Sequence, residues 1–223
     1  MLSVVAVALG AGAVGVGVAW ARRRVDGLGR PRPFPWVSVA LLLVLAVSSA
    51  TPEVLRARQE RRLGGAVSVL VGARVGVRCQ RLGGAFVDAG PELGYVRWRA
   101  DGTPEPWTLI KRDQCRHLAA YLRSDKRRPG RDQVVAVHVL THEAMHLAGL
   151  VAEAAAECAA VQRDAQTARL LGAAPADAAA LAAAYWREVY PQLPEGYRSS
   201  DCRPGGPMDE RRPDAPWLAP LAS

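Results

Sequence analysis

Residues 139–148 read VLTHEAMHLA, which sets His142, Glu143 and His146 in the order His-Glu-x-x-His. On a helix, residues four apart share one face, with Cβ atoms about 5–6 Å apart. Two imidazoles so placed converge on one metal ion, at about 2.0–2.1 Å each for Zn²⁺. Glu143 follows His142 directly, so it lies beside the ion rather than on it. A carboxylate there can take the proton of a water that attacks a carbonyl. Three of the four histidines lie within His138–His146, and no Pro interrupts the stretch. His142 and His146 are therefore candidate Zn²⁺ ligands and Glu143 a candidate general base. The plain alternative is a pair of core or surface histidines with no metal.

A catalytic zinc site uses three protein ligands. No His follows His146, so a carboxylate or Cys158 must supply the third. Glu153 and Glu157, within GLVAEAAAECAAVQ at 149–162, are four apart and share a helix face. Gly149 can reverse the chain, so a helix carrying the two glutamates can fold back against the first. His138 stands one turn before His142, either as a buried or capping residue or as one that braces the site. Tyr197, His117 and Arg198 are polar candidates for transition-state donors, and the residues alone do not choose among them.

An HExxH helix followed by a helix with Glu-x-x-x-Asp/Glu resembles the gluzincin branch of zinc metallopeptidases. That resemblance implies a zincin-like domain, zinc as cofactor, and hydrolysis of a peptide or protein. It also implies Glu153 as third ligand and Glu157 as the residue that fixes a ligand His through its other ring nitrogen. The likeness covers residues 139–157. Within it, the gap from His146 to Glu153 is short, Glu stands where Asp is commoner, and Gly149 echoes the metzincin HExxHxxGxxH with Ala152 in place of the third His. The spacing of HExxH, Glu157-Cys158 and the segment Tyr197–Asp209 is also similar to a group of actinobacterial membrane proteins.

The rest of the chain must carry and place these residues. Residues 2–20 and 34–50 hold no charge, and each is close to the length that spans a bilayer. Arg22, Arg23, Arg24, Arg30 and Arg32 lie between them. The pattern predicts a transmembrane hairpin in the lipid bilayer with its basic loop in the cytoplasm. The remainder is then extracytoplasmic, and a signal-type cleavage after Ala50 is the alternative. Residues 1–52 form the anchor, 53–63 a juxtamembrane linker, 64–200 the metal-binding domain and 201–223 a Pro-rich tail.

Alternating stretches predict strands at 74–79, 94–99 and 107–110. A 3.6-residue period predicts helices from 111, over 133–148 behind an Asp132 cap, over 151–171 as one piece, and over 175–190. Strands first and helices after make a small α+β domain, in which a helix pair carries the metal site.

Four widely spaced cysteines suit disulfides in an oxidising compartment. Cys79–Cys115 would tie the first strand to the first domain helix, and Cys158–Cys202 would pin the tail. The formal charge of +8 is carried by scattered Arg in an Ala-rich chain, without the aromatic-interleaved stripe of a nucleic-acid partner. Two other functions fit parts of the pattern. One is a non-catalytic zincin-like scaffold module at the cell surface. The other is a basic protein that binds anionic lipid or wall polymer.

Overall fold

The structure, a computed structural model, describes residues 2–81, 90 and 92–218. The chain divides into two compact units, Met1–Arg58 and Gln59–Ser223.

In the first unit, α1 (Leu2–Arg22) and the start of α2 (Trp36–Val71) are both long and apolar enough to cross a membrane. Apolar side chains such as Val7, Val14, Val44 and Val47 are more than 60 % exposed. A helix apolar on its outer face gains nothing from water and suits lipid. The connection between the helices is a compact turn. Asp26 Oδ1 accepts the backbone N–H groups of Leu28 and Arg30, and the indole N–H of Trp20 donates to the Arg32 carbonyl. Trp20, Phe34 and Trp36 pack edge to face.

The expected linker at 53–63 is part of α2, which continues unbroken to Val71. Leu63, Ala66 and Val67 of its last turns are buried in the second unit's core. Their apolar spacing makes this end of α2 a core helix, so the domain starts before Gly64.

The second unit is mixed α and β. Strands β1 (Gly76–Cys79), β2 (Gly94–Trp98) and β3 (Pro104–Ile110) form a sheet in the order β1-β3-β2, with β1 parallel and β2 antiparallel to β3. Val77, Cys79, Val96, Thr108 and Ile110 are buried, while Arg78 and Arg97 are exposed. This alternation is that of a sheet with one packed face.

The helices are α3 (Arg112–Arg123), α4 (Arg131–Leu147), α5 (Glu153–Val161), α6 (Asp164–Leu170) and α7 (Pro175–Glu188). α4 is central and touches β2, β3, α3, α5, α6 and α7. From Ala136 to Leu147 each of its residues is buried. A helix covered on all sides must satisfy every polar group it carries, and this one carries three His and a Glu.

Two helix boundaries differ from the sequence expectation. α4 begins one residue before Asp132, with Gly130 as cap, whose N–H donates to the Gln133 side-chain oxygen. The single helix expected over 151–171 is broken at Gln162–Arg163, and Asp164 at the head of α6 turns inward and is fully buried.

Both disulfides, Cys79–Cys115 and Cys158–Cys202, have the pairing favoured by the sequence. The tail is irregular as expected, yet tied down. Arg163 pairs with Glu210, Arg169 with Asp214, and Gln162 donates to the Met208 carbonyl.

Candidate metal centre

The site is built where α4 ends and the chain returns as α5. Gly149 has φ +98°, a conformation open to Gly without steric cost. Gly149 N–H donates to the His146 carbonyl and Leu150 N–H to that of Met145, the two bonds of a Schellman stop. This reversal fixes the Leu150 carbonyl, which accepts from His146 Nδ1 at 2.6 Å. It also starts α5 at Glu153, so that the first residue of α5 faces the last turns of α4.

Three ligand atoms converge there. His142 Nε2 is 3.0 Å from His146 Nε2 and 3.1 Å from Glu153 Oε2, which lies 3.4 Å from His146 Nε2. A tetrahedral zinc with Zn–N bonds of about 2.0–2.1 Å separates its ligand atoms by about 3.3 Å. The tautomers fit as well. His142 Nδ1 donates to Glu157 Oε2 at 2.9 Å and His146 Nδ1 to Leu150 O. Each neutral ring therefore presents a bare Nε2 lone pair to the shared point. Such a donor set, two imidazoles and a carboxylate, could hold a divalent transition-metal ion such as zinc.

Without a metal, a proton can occupy the gap. Burial opposes charge on His142, but its hydrogen bonds to Glu153 and Glu157 outweigh that and hold its pKa near 9. Burial, and then the charge on His142, push His146 below its ordinary value. The hydrogen bond from His142 lowers Glu153.

Beneath the cluster lies a buried layer. Glu157 Oε2 accepts from His142 and from His138 Nε2 at 2.9 Å, and Glu157 Oε1 accepts from Tyr185 at 2.7 Å. His138 Nδ1 donates to Asp164 Oδ2 at 2.8 Å, and its ring stacks on Tyr185 with centroids 3.6 Å apart. Both His138 nitrogens face carboxylates, so the imidazolium satisfies both. Burial opposes that charge, but Asp164 and Glu157 win and raise His138 to about 10. Burial alone would raise Glu157, but His138 and His142 hold it far below the carboxylate range. The groups His138–His142–Glu157 and His142–His146–Glu153 can each gather three ligand atoms within 4.8 Å. In the first, Glu157 already accepts from three donors. Its ligand atoms are occupied by each other, whereas those of the second meet only at one point.

Glu143 sits to the side. Its Oε2 accepts weakly from Thr108 at 3.3 Å, and a Cβ on Gly94 would stand 2.9 Å from its Oε1. Gly94 is thus the clearance that lets the carboxylate stand against β2. Burial raises Glu143 to about 7, against the pull of His142 and Thr108.

All six residues singled out by the sequence, His138, His142, Glu143, His146, Glu153 and Glu157, line one cavity of about 570 Å³. Of the three polar donor candidates only Tyr197 lines it, with its ring 6.0 Å from that of His142. Cys158 is in a disulfide and has no thiolate to offer. Sequence reasoning did not find Thr108, Gly94, Asp164 or Tyr185. None of the four carries a local spacing signal, because each meets the site from another element.

Compared with known proteins, no family model, no curated protein and no solved structure matches this chain.

Proposed function

We propose that this chain is a membrane-anchored, zinc-dependent hydrolase of the gluzincin kind, acting on peptides. The observation that carries the reading is the meeting of two bare Nε2 atoms and Glu153 Oε2 at zinc-ligand spacing, with Glu143 beside them. His142, His146 and Glu153 hold the ion. Bound zinc supplies Lewis acidity, which lowers the pKa of a water and polarises a carbonyl.

The protein's own residues do the rest. Glu143, beside the metal ligands, can take a proton from the attacking water and pass it to a leaving amine. Thr108 steadies its far oxygen. Glu157 and the Leu150 carbonyl keep both rings turned with Nε2 inward. The Tyr197 hydroxyl has no hydrogen-bond partner among the described residues. It is a donor at the cavity wall for a developing oxyanion.

A peptide substrate is favoured by β2. Among the described strands β2 is an edge strand, and it lines the cavity. Lys111 N–H donates to Leu93 O. The alternation of an antiparallel ladder then turns the backbone groups of Gly94 and Val96 away from β3. An extended peptide can pair with such an edge. The apolar exposed helices and the two disulfides support an anchor in the cell membrane with the second unit outside the cytoplasm.

The test is metal analysis and peptide hydrolysis by the full-length chain in detergent. One zinc per chain is expected. Glu143→Gln should keep the zinc while hydrolysis falls by about 10²–10⁴-fold. Protein purified without chelators that holds no zinc would sink the proposal, and full activity in Glu143→Gln would remove the proposed base. Bound zinc with no cleavage of a broad peptide library would favour the scaffold reading.

A further inference from the structure

Every charged side chain of residues 1–52 lies at or in the turn that joins α1 to α2. They are five arginines, Arg22, Arg23, Arg24, Arg30 and Arg32, and one acid, Asp26. The arginines are exposed, and among the described residues none of them is in an ion pair.

Main-chain bonds fix this turn. Val25 and Pro31 form an antiparallel bridge, Arg32 N–H donates to the Arg24 carbonyl at 2.8 Å, and Asp26 N–H donates to that of Arg30 at 2.9 Å. Asp26 Oδ1 closes the tip by accepting the N–H groups of Leu28 and Arg30, each at 2.8 Å. The register sets Arg24 directly opposite Arg32. Across an antiparallel pair such residues have Cβ atoms about 4.5–5.5 Å apart on one face, and like charges there repel. Arg30, two residues from Arg32, shares that face. Asp26 shares it too, but its Oδ1 is engaged by the two backbone N–H groups. Two unpaired guanidiniums held opposite each other gain stability when an anion bridges them. A phosphate suits the place, since a guanidinium forks onto two of its oxygens.

The depth of the turn points to the source of that phosphate. The rings of Trp20, Phe34 and Trp36 pack together at the helix ends, and tryptophan at the end of a membrane helix sits at headgroup level. The Trp20 indole N–H donates to the Arg32 carbonyl at 3.1 Å, and the Arg24 guanidinium carbon is 5.3 Å from the Trp20 ring centroid. Both arginines are therefore held beside a ring that marks the phosphate layer.

We infer that this turn is a folded binding site for the phosphate headgroup of an anionic phospholipid, with Arg24 and Arg32 closing on the phosphate and Arg30 beside them. The site rests on the membrane-anchor reading above and is independent of the metal centre.

The experiment places the full-length chain in phosphatidylcholine bilayers. Spin-labelled phosphatidylglycerol and phosphatidylcholine then report their relative association with it. Phosphatidylglycerol should associate at least about fivefold more tightly, the change that one arginine at a charged surface supplies. Arg24→Gln with Arg32→Gln should remove most of that preference. Arg22→Gln with Arg23→Gln, an equal loss of charge outside the facing pair, should remove less. Two variants at Asp26 separate a folded site from charge alone, because both leave five arginines and no acid. Asp26→Asn keeps a side-chain oxygen that accepts the two N–H groups, and should hold phosphatidylglycerol at least as tightly as wild type. Asp26→Ala loses that oxygen and should hold it less tightly. Equal association of the two lipids would overturn the inference, and so would an Asp26→Ala protein that matches Asp26→Asn. A chain that does not enter the bilayer would remove the anchor reading, and the lipid site with it.

Discussion

The two glutamates of α5 face the same pair of histidines but live under opposite rules. Glu157 is 3 % exposed at its side chain and accepts from His138, His142 and Tyr185. Glu153 is 46 % exposed and, among the described residues, bonds to the Nε2 atoms of His142 and His146. One carboxylate is locked by the protein, and the other is left for a ligand. One helical turn separates them, so the difference comes from what lies behind each. Behind Glu157 are α4, α6 and α7, and before Glu153 is the cavity. A buried carboxylate that accepts three hydrogen bonds from the protein is a brace, and an exposed one beside bare imidazole nitrogens is a ligand.

Removing each carboxylate in turn should break the comparison in two different ways. Glu157→Ala strands the His138 charge, with Asp164 as its sole remaining carboxylate. Losing one partner of a buried pair costs about 3–5 kcal/mol. Metal affinity should fall by about 10–100-fold as well, because His142 loses the acceptor that fixes its tautomer. Glu153→Ala should cost less metal-free stability than Glu157→Ala, because the Glu153 side chain is 46 % exposed and its pair with His142 is partly screened, yet lose zinc more completely than Glu157→Ala does. Chemical unfolding of the zinc-free chain and zinc titration of each variant check both halves. Equal stability losses would erase the distinction between brace and ligand.

The buried layer also sets a pH response of the metal-free protein. His138 rises from its ordinary 6.5 to about 10 on folding, because Asp164 and Glu157 outweigh the burial penalty. A raised His value means that folding takes up a proton. The resulting stability is fully present below about pH 6.5 and is lost as pH climbs through 10. His142, held near 9, adds with the same sign. Unfolding midpoints of the zinc-free chain should therefore fall between neutral pH and pH 10. His138→Gln should flatten part of that slope, and an unaltered slope would show that the layer is not charged as described.

How much of this was legible in the sequence follows from the range of each interaction. HExxH, the Glu153–Glu157 spacing and the Gly149 reversal are local, and helix geometry alone places them. The cysteine pairing follows from which elements need a tie, the first strand to the first domain helix and the tail to α5. The buried layer was not legible. Asp164 looks like any helix residue until His138 is known to need a second carboxylate, and its inward turn is also what breaks the expected helix at 162–163. Gly94 reads as the start of a strand, and only the approach of Glu143 gives its missing Cβ a purpose. Residues 53–63 read as a charged linker because Leu63 alone does not reveal a core that is completed by other elements.

Gly149→Ala tests the hinge between brace and ligand. Forcing a side chain into φ +98° costs about 1–2 kcal/mol. The strain falls on the Leu150 carbonyl that holds His146, so zinc affinity should drop while Glu157 and its partners are undisturbed. Unchanged zinc affinity in a measurably destabilised Gly149→Ala protein would show that the turn positions α5 without holding the ring of His146.

The smallest effect is expected at Thr108. Its single hydroxyl proton is shared between the Tyr95 carbonyl at 3.0 Å and Glu143 at 3.3 Å. A donor at a carboxylate favours the charged form, so it offsets part of the burial that raises Glu143 to about 7. Thr108→Val keeps the shape and removes the donor. Glu143 must be deprotonated to act as base, so the acid limb of the kcat/KM profile should move to higher pH, with the plateau nearly unchanged. Zinc content should stay at the wild-type level, because Thr108 lies on the Glu143 side of the cavity and touches no ligand atom. A shift toward lower pH would mean that the hydroxyl acts on Glu143 in the opposite sense.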